Sequence, residues 1–394
     1  GLPCQATRFA RDACLLTALS AQRRQSGSLL VTLGQWSARD DVRKPSRLLT
    51  LCGQAELPAR VQQLFPSKSM AEMRPGEPAR STLWPLVPEK RPVKIETISA
   101  SRIAAYLDCP FRFYLRQGLR MEAAGGAARE MDAMQFGDLA HDVLKQFGED
   151  KDARRWTDAA KIAQWFEDCL WQSAKQRFGS RPQPLVRLQV ESVEQRLKKH
   201  AEVEAEQRQM GWEIVAVEMK LGEEESNALL INGARFTGKA DRIEHNSVTG
   251  ERRVLDFKTS DKRANPREKH CAKIKPERLD EADHWKTFSL AGEEGAWIWK
   301  DVQLPLYAAA LKHHPLGPVT QAGYAWLPKA VMETQLELWE GFDERWSEAA
   351  LACAAEVVRR IREGVFWPPK ESGAMASDYD HLFPEEAVKD VKWD

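Results

Sequence analysis

Hydrophobic residues recur along this chain with two periods, one typical of helices and one typical of strands. Residues 212–218, 235–244, 252–258 and 324–327 have strand patterns, and residues 246–250 predict a hairpin turn between the middle two. Residues 135–147, 150–211, 301–311 and 342–362 have helical patterns. This mixture predicts the fold class α/β, with a small mixed central sheet flanked by helices.

The predicted hairpin carries two acids and a lysine in positions that suit a metal-dependent phosphodiesterase. Because side chains alternate along a strand, Asp256 and Lys258 project to one side while Phe257 points into a core. A loop at residues 247–250 sets Asp241 opposite Asp256, about 5 Å away. Carboxylates this close need a counter-ion, and Mg²⁺ prefers such oxygen ligands. An isolated D-x-K triplet is more often an ordinary charged strand edge, but both acids here fall in paired strand patterns.

Two further segments place polar side chains at spacings that fit the same site. His141 lies one helical turn after Gly137 on the same face. Glycine there costs about 1 kcal/mol relative to alanine, so we expect another backbone or a ligand to approach it closely. A single helical histidine is, however, more often capped or solvated than a ligand. Further along the chain, Asp301 can cap a helix on which Gln303 and Tyr307 share one face.

Together, these segments resemble the RecB-like branch of the PD-(D/E)XK nuclease superfamily. Its motifs follow the order G-x-x-x-H, G-x-x-D-R, D-x-K and Q-x-x-x-Y, and all of them occur here in that order. They are Gly137 to His141, Gly238 to Arg242, Asp256 to Lys258, and Gln303 to Tyr307. Residues 99–114, which include a Cys-Pro pair, are similar to the start of the nuclease domain in AddB-type subunits of bacterial helicase-nucleases. The resemblance covers about residues 95–370 and implies a restriction-endonuclease-like nuclease core.

The resemblance also implies roles for individual residues. His141, Asp241 and Asp256 bind Mg²⁺ or Mn²⁺ in this interpretation, and the Phe257 carbonyl is a further ligand. Lys258 orients the attacking water and stabilises negative charge, while two more residues support the site and the nucleic acid, namely Gln303 and Tyr307. Glu218, at the end of the first core strand, could lie near the metal but is interpreted as structural.

The cysteines depart from the pattern of the relatives that have the Cys-Pro element. Those relatives hold an iron-sulfur cluster through that cysteine and three more near the C-terminus of the nuclease domain. Here Cys109 is present, but no cysteine follows Cys353. We therefore predict no iron-sulfur cluster, and expect Cys109 to be a small buried hydrophobic residue. Aromatic residues of the C-terminal tail are expected to supply the packing instead, with Phe366, Trp367 and Trp393 as candidates.

Charge is balanced over the whole chain but locally basic after the D-x-K motif. The formal net charge is zero, yet residues 251–278 hold ten lysines and arginines against five acids. This excess suits a phosphate backbone, and a merely solvated loop is the competing interpretation. The predicted DNA contacts are Lys262, Arg263, Arg267 and Lys269.

Prolines divide the chain into segments. They are frequent between residues 58 and 92, which predicts an extended linker. The expected domains are a helicase-like fragment at 1–65, a proline-rich linker at 66–94 and the nuclease domain at 95–394. Residues 8–22 have a helical apolar pattern, and the abrupt beginning at Gly1 suggests a piece of a longer polypeptide.

The expected function is that of a metal-dependent deoxyribonuclease, an exonuclease of double-strand break processing and recombinational repair. Its predicted partners are DNA that has free ends or is single-stranded, and a helicase subunit or a missing N-terminal part of its own chain. The alternative is a catalytically inactive DNA-binding or scaffold subunit. A sequence at 233–240 matches G-x-x-x-x-G-K, but alanine follows where a Mg²⁺-binding Ser or Thr belongs, so no ATP site is predicted.

The sequence also predicts a compartment. The cysteines are scattered, no apolar run approaches the roughly 18 residues of a membrane span, and the N-terminus lacks a signal-peptide pattern. We therefore expect a cytoplasmic protein without membrane contact.

Overall fold

The computed structural model describes residues 4–22, 29, 44–64, 93–121, 130–223, 228–275, 279, 281–312 and 314–366. The chain divides into two compact units, Gly1–Pro85 and Leu86–Asp394. The first unit contains helices α1 (Gln5–Gln22) and α2 (Leu57–Leu64) and a short 3₁₀ turn at Arg47–Thr50. The helix predicted at 8–22 is therefore confirmed. The predicted linker at 66–94 lies outside the described residues except for its last two, and the assignment of domains stays a prediction.

The second unit is a mixed α/β structure in which all four predicted strand segments form strands, together with strands that the sequence did not predict. Its strands are β1 (Thr97–Ser99), β2 (Trp212–Leu221), β3 (Leu230–Ile231), β4 (Ala234–Asn246), β5 (Arg252–Lys258), β6 (Cys271–Ile274), β7 (Thr287–Phe288), β8 (Ala296–Trp299), β9 (Gln321–Trp326) and β10 (Gln335–Leu338). The main sheet has the order β1-β4-β5-β9-β10, with β2 and β3 also paired to β4. The pairs β1·β4 and β5·β9 are parallel and the others antiparallel. The predicted fold class is confirmed.

Helices cover both faces of this sheet. They are α3 (Ala100–Asp108), α4 (Pro110–Phe113), α5 (Ala133–Glu149), α6 (Ala159–Phe178), α7 (Pro184–Gln209), α8 (Pro266–His270), α9 (Gln303–Leu311) and α10 (Glu344–Arg362). Helices α5, α6 and α7 share a core with Phe257 and Ala325, whereas α3, α9 and α10 pack with Val254 and Tyr324. Strand alternation therefore sends Phe257 towards α5–α7 and sends Asp256 towards α9. None of the described helices combines the length and apolar character needed to cross a bilayer.

An insertion between β5 and α9 forms a second, smaller sheet of order β6-β8-β7. Aromatic rings hold it against α10, because Phe288 stacks on Trp299 with a centroid distance of 4.3 Å and both lie near Trp346. The hydrophobic pattern did not predict this sheet, since its strands are at most four residues long and too short to show a clear period.

The segment around Cys109 is closed by aromatic packing. Phe366 stacks on Tyr114 with a centroid distance of 4.8 Å, and Tyr106 donates a hydrogen bond to the Val365 carbonyl. Cys109 is buried as a free thiol beside Phe111. The predictions that Phe366 packs here and that Cys109 is buried are confirmed, while Trp367 and Trp393 lie outside the described residues.

Candidate active site

The two acids of the hairpin lie opposite each other, Asp241 in the middle of β4 and Asp256 near the end of β5. The antiparallel register pairs Arg242 with Leu255, and the Asn246 amide donates to the Glu251 carbonyl at 2.8 Å, which closes the loop at 247–250. One step beyond the Arg242 pair, Asp241 faces Asp256. The predicted register is therefore confirmed.

A third acid extends this pair into a row across the sheet. Strand β2 pairs Val217 with Arg242 and Met219 with Ala240, so Glu218 between them faces Asp241 from the other side. Glu218 has a φ of 48°, which is unusual for a residue with a side chain and marks local strain. The sequence left open that Glu218 lies near the metal but interpreted it as structural, whereas the structure brings its carboxylate close to Asp241.

His141 on α5 lies beside this row of acids. One ligand atom each from His141, Glu218 and Asp241 all lie within 4.8 Å of one another. The His141 Nε2 atom is 3.2 Å from the Phe257 carbonyl oxygen, and Nδ1 is 3.6 Å from Asp241 Oδ2. A carbonyl only accepts, so Nε2 carries the proton and Nδ1 keeps its lone pair.

Helix α5 is fixed at its start by a capping box between Asp132 and Gln135. The close neighbour of Gly137 is the Thr259 hydroxyl, 3.4 Å from where a Cβ would lie. Among the described residues, no backbone outside the helix lies within 4 Å of that position, so the structure shows an ordinary side-chain contact where the sequence predicted a backbone or a ligand.

Burial and the charge of the neighbouring Asp256 disfavour the ionised form of Asp241. Burial, and then the charge of Asp256, raise the pKa of Asp241 to about 8, although the Phe257 amide donates to Asp241 Oδ2 at 2.8 Å. Burial lowers the pKa of His141, so the imidazole is neutral at physiological pH. The site thus combines three carboxyl groups with a neutral imidazole, which are groups that bind divalent cations.

Lys258 and Gln303 hold the carboxylate of Asp256 from two sides. The Lys258 Nζ atom is 2.7 Å from Asp256 Oδ2, and Gln303 Nε2 donates to Asp256 Oδ1 at 2.8 Å. Burial opposes the charged form of Lys258, but the charge and hydrogen bond of Asp256, together with the charges of Asp301 and Asp241, outweigh burial and raise the pKa of the lysine. The ammonium group therefore stays protonated beside the acids.

Helix α9 presents Gln303 and Tyr307 to the site as expected from their spacing. The side-chain Nε2 of Gln303 also contacts the Tyr307 hydroxyl at 3.2 Å. The backbone N–H of Gln303 donates to Asp301 Oδ1 at 2.9 Å. Asp301 thus accepts from the first backbone N–H of α9, as predicted, although the N-cap position itself is occupied by Val302. A Cβ on Gly238 would lie 2.8 Å from Tyr307 Cε1, which explains why glycine precedes Asp241 in this motif.

The arginine of the G-x-x-D-R motif turns away from the site into a buried ionic cluster. The cluster consists of His200, Glu204, Arg208, Arg242, Glu244 and Arg253. The Arg242 guanidinium also lies 4.8 Å from the centroid of the Phe257 ring. It therefore supports the residue whose peptide group contacts Asp241 and His141.

The four basic residues predicted to contact DNA differ in their surroundings. Arg263 Nε is 3.3 Å from Glu337 Oε2, and Arg267 NH2 is 2.6 Å from Glu293 Oε2. The Arg267 guanidinium also lies 4.2 Å from the Trp297 ring centroid. Lys262 and Lys269 are exposed, with no ion pair to any residue in the described part of the chain. The two lysines are therefore freer to meet a phosphate than the two arginines.

Comparison with protein families agrees with this arrangement. A family model described as the PD-(D/E)XK nuclease superfamily matches residues 97–374, more than half of the chain. The matched span begins at β1, extends past α10 and contains every site residue described above. A search of curated proteins found no match.

Proposed function

Because the chain belongs to the PD-(D/E)XK nuclease superfamily, whose members generally hydrolyse phosphodiester bonds, we propose that it is a deoxyribonuclease that requires a divalent metal. The observation that carries the proposal is the row of Glu218, Asp241 and Asp256, with Lys258 at its end. A protein that only binds DNA has no need to bury Asp241 and Asp256 face to face, with the partly buried Glu218 on one side and a charged lysine on the other.

His141, Glu218 and Asp241 are the residues proposed to hold the metal, Mg²⁺ or Mn²⁺. Their ligand atoms form one group. Asp241 has a pKa of about 8, and a bound cation would replace the proton that it keeps below that pH. The Phe257 carbonyl accepts from His141 and has a second lone pair for a ligand role. Asp256 faces Asp241 and is proposed as a further ligand. A bound cation would polarise the scissile phosphate and lower the pKa of a coordinated water.

The remaining site residues act by position and charge. Lys258 keeps its proton and so offers a fixed positive charge to the developing negative charge on the phosphate. Gln303 holds Asp256 in one orientation, and Tyr307 braces Gln303. Fixed groups of this kind stabilise a transition state without reorganising during the reaction.

The order of the motifs and the segment around Cys109 support a narrower assignment. We propose a RecB-like nuclease of the AddB type that digests DNA from its ends and acts in double-strand break processing and recombinational repair. It would work in the cytoplasm with a helicase, either a partner subunit or an N-terminal part of its own chain. We also propose that the protein holds no iron-sulfur cluster, which the aromatic packing of Phe366 against Tyr114 supports.

The direct test is a digestion time course on end-labelled single-stranded and double-stranded DNA. We expect cleavage only with Mg²⁺ or Mn²⁺, full loss on chelation, and products that shorten from one end. Closed circular DNA should resist if the protein is an exonuclease. Binding of DNA without cleavage under any metal condition would instead favour the inactive DNA-binding subunit.

Changing Glu218→Gln tests the proposed metal site. Removing one charged ligand is expected to raise the metal concentration at half-maximal rate by about 10-fold or more. The metal titration of the digestion rate measures this. Glu223→Gln is the matched control, because that acid lies just after the same strand and pairs with Lys220 at the surface. Equal metal requirements in both variants would remove Glu218 from the ligand set.

The two exposed lysines of the basic loop test the DNA path. We expect the double change Lys262→Ala and Lys269→Ala to flatten the log-log salt dependence of single-strand binding by about 1.4, since each phosphate contact contributes about 0.7. Sequence preference should not change, because phosphate contacts do not read bases. The measurement is a titration of a cleavage-deficient variant at several salt concentrations. A double change at two other exposed lysines, Lys151 and Lys175, is the control, and a slope that is the same in both double variants removes the loop from the DNA path.

A further inference from the structure

His270 is completely buried at the end of α8, outside the row of site residues. Its Nδ1 atom is 2.8 Å from the Pro266 carbonyl oxygen, and the Leu304 amide donates to its Nε2 atom at 3.2 Å. A carbonyl only accepts and an amide N–H only donates, so the neutral tautomer with the proton on Nδ1 is fixed by its partners.

The imidazole replaces a missing cap on helix α9. The residue before this helix is Val302, which has no side chain able to accept a hydrogen bond. The first N–H groups of a helix lack partners within the helix and need acceptors from elsewhere. The Asp301 side chain accepts from the backbone N–H of Gln303, and His270 accepts from the backbone N–H of Leu304.

The same histidine connects this helix start to the strand beside the D-x-K motif. The Tyr324 hydroxyl is 3.1 Å from His270 Nδ1, and the two rings stack with a centroid distance of 5.7 Å. Tyr324 pairs with Asp256 across the parallel strands β5 and β9, and the Lys258 ammonium lies 5.0 Å from its ring centroid. His270 therefore touches both the helix that carries Gln303 and the strand that flanks Asp256.

We propose that His270 is a positioning residue of the nuclease: it fixes the first turn of α9 and so holds Gln303 against Asp256 and Lys258. The inference rests on the proposed function, and it extends that function to a residue outside the four sequence motifs. Burial lowers the pKa of His270, which keeps the imidazole in the neutral form that can accept from Leu304.

Three substitutions of His270 distinguish the effect of its hydrogen bonds from the effect of its ring packing. His270→Phe keeps a planar ring to stack on Tyr324 and removes both nitrogen atoms. His270→Gln can still place an acceptor near the Leu304 amide, whereas the shorter His270→Asn reaches only the Pro266 carbonyl. We expect kcat to fall about 10- to 100-fold in the Phe and Asn variants, with an unchanged KM for DNA, and to recover in the Gln variant.

A double change shows whether His270 acts through Gln303. In a Gln303→Ala background, His270→Asn should lower kcat no further, since the side chain that it positions is gone. Equal kcat values for the Asn and Gln variants, or a full additional loss in the double variant, would overturn the proposal. The Asn and Gln comparison still decides the question if the Phe variant does not fold.

Hydrogen exchange of the α9 backbone gives a measurement that does not depend on activity. His270→Asn should speed exchange of the Leu304 amide relative to wild type and His270→Gln, while the middle of α10 stays protected. Unchanged exchange would overturn the positioning role, whether or not the wild-type protein cleaves DNA. An inactive wild-type protein with the expected exchange pattern would refute the nuclease function alone.

Discussion

Changing Asp256→Asn is expected to lower the rate of DNA cleavage by about 100-fold or more while leaving the protein folded. Asparagine keeps the size of the side chain and can still accept from Gln303 Nε2. It removes the negative charge that faces Asp241 and that holds the Lys258 ammonium at 2.7 Å. Lys258→Ala should cause a similar loss, because it removes the positive charge beside the scissile phosphate. Initial rates at saturating metal and DNA measure both effects.

The fold should tolerate the Asp256 change because its buried charge disfavours ionisation of Asp241, and because the Lys258 ammonium that loses its partner is partly exposed to water. The charge of Asp256 contributes to the raised pKa of Asp241, so its removal relieves strain in the folded state. Asp152→Asn is the control, because that acid is exposed and its side chain has no hydrogen bond or ion pair among the described residues. Undiminished digestion by purified Asp256→Asn protein would show that cleavage does not depend on this site.

The parts of the site that the sequence predicted depend on local rules. The length of the hairpin loop fixes which residues of β4 and β5 face each other, so Asp241 and Asp256 could be paired without a structure. Helical spacing likewise put Gln303 and Tyr307 on one face. In both cases the answer depends only on residues that are close in the chain.

The parts that the sequence left undecided or missed depend on irregular backbone or on distant partners. A bulge between Ile214 and Ala216 shifts the alternation of β2, so a strict period of two does not report where Glu218 points. The His270 tautomer is set by Pro266 and by Leu304, which lies 34 positions away along the chain. No pattern in a single sequence identifies such partners.

The basic loop shows a related limit of charge counting. The sequence weighted Arg263 and Arg267 equally with Lys262 and Lys269, since all of them carry a full positive charge. In the folded chain each arginine meets an acid from a distant segment, Glu337 or Glu293. The local charge excess therefore identified a basic segment but did not distinguish its lysines from the arginines that form ion pairs.

The second large effect is expected on stability, from Glu204→Gln in the buried ionic cluster. Glu204 is almost fully buried and bonds to Arg242, to Arg208 at 3.4 Å and to His200 at 3.0 Å. Removing its charge leaves Arg242 buried without its main partner, which typically costs about 3–5 kcal/mol of the free energy of unfolding. Because Arg242 packs on Phe257, whose peptide group contacts His141 and Asp241, the site should loosen as well.

Glu202→Gln, two positions earlier on α7, is the matched control. Its carboxylate pairs with Lys199 in an i, i+3 ion pair at the surface and should contribute less than about 1 kcal/mol. Urea unfolding at pH 7, followed by circular dichroism, measures both variants. If Glu202→Gln and Glu204→Gln destabilise the protein equally, the buried cluster contributes no more to stability than a surface ion pair.

The pH dependence of the Glu204→Gln effect follows from the direction of the pKa shift. Burial disfavours the charged form of Glu204, but Arg242 and its other partners outweigh it and hold the pKa well below the usual 4.5. A carboxylate with a depressed folded-state pKa contributes stability above its unfolded pKa and loses that contribution as pH falls towards the folded value. The difference between wild type and Glu204→Gln should therefore be constant above about pH 5.5 and shrink below pH 4.5, because the unfolded chain then takes up a proton that the folded cluster excludes. A difference that stays constant down to pH 3 would mean that the glutamate contributes through its shape alone.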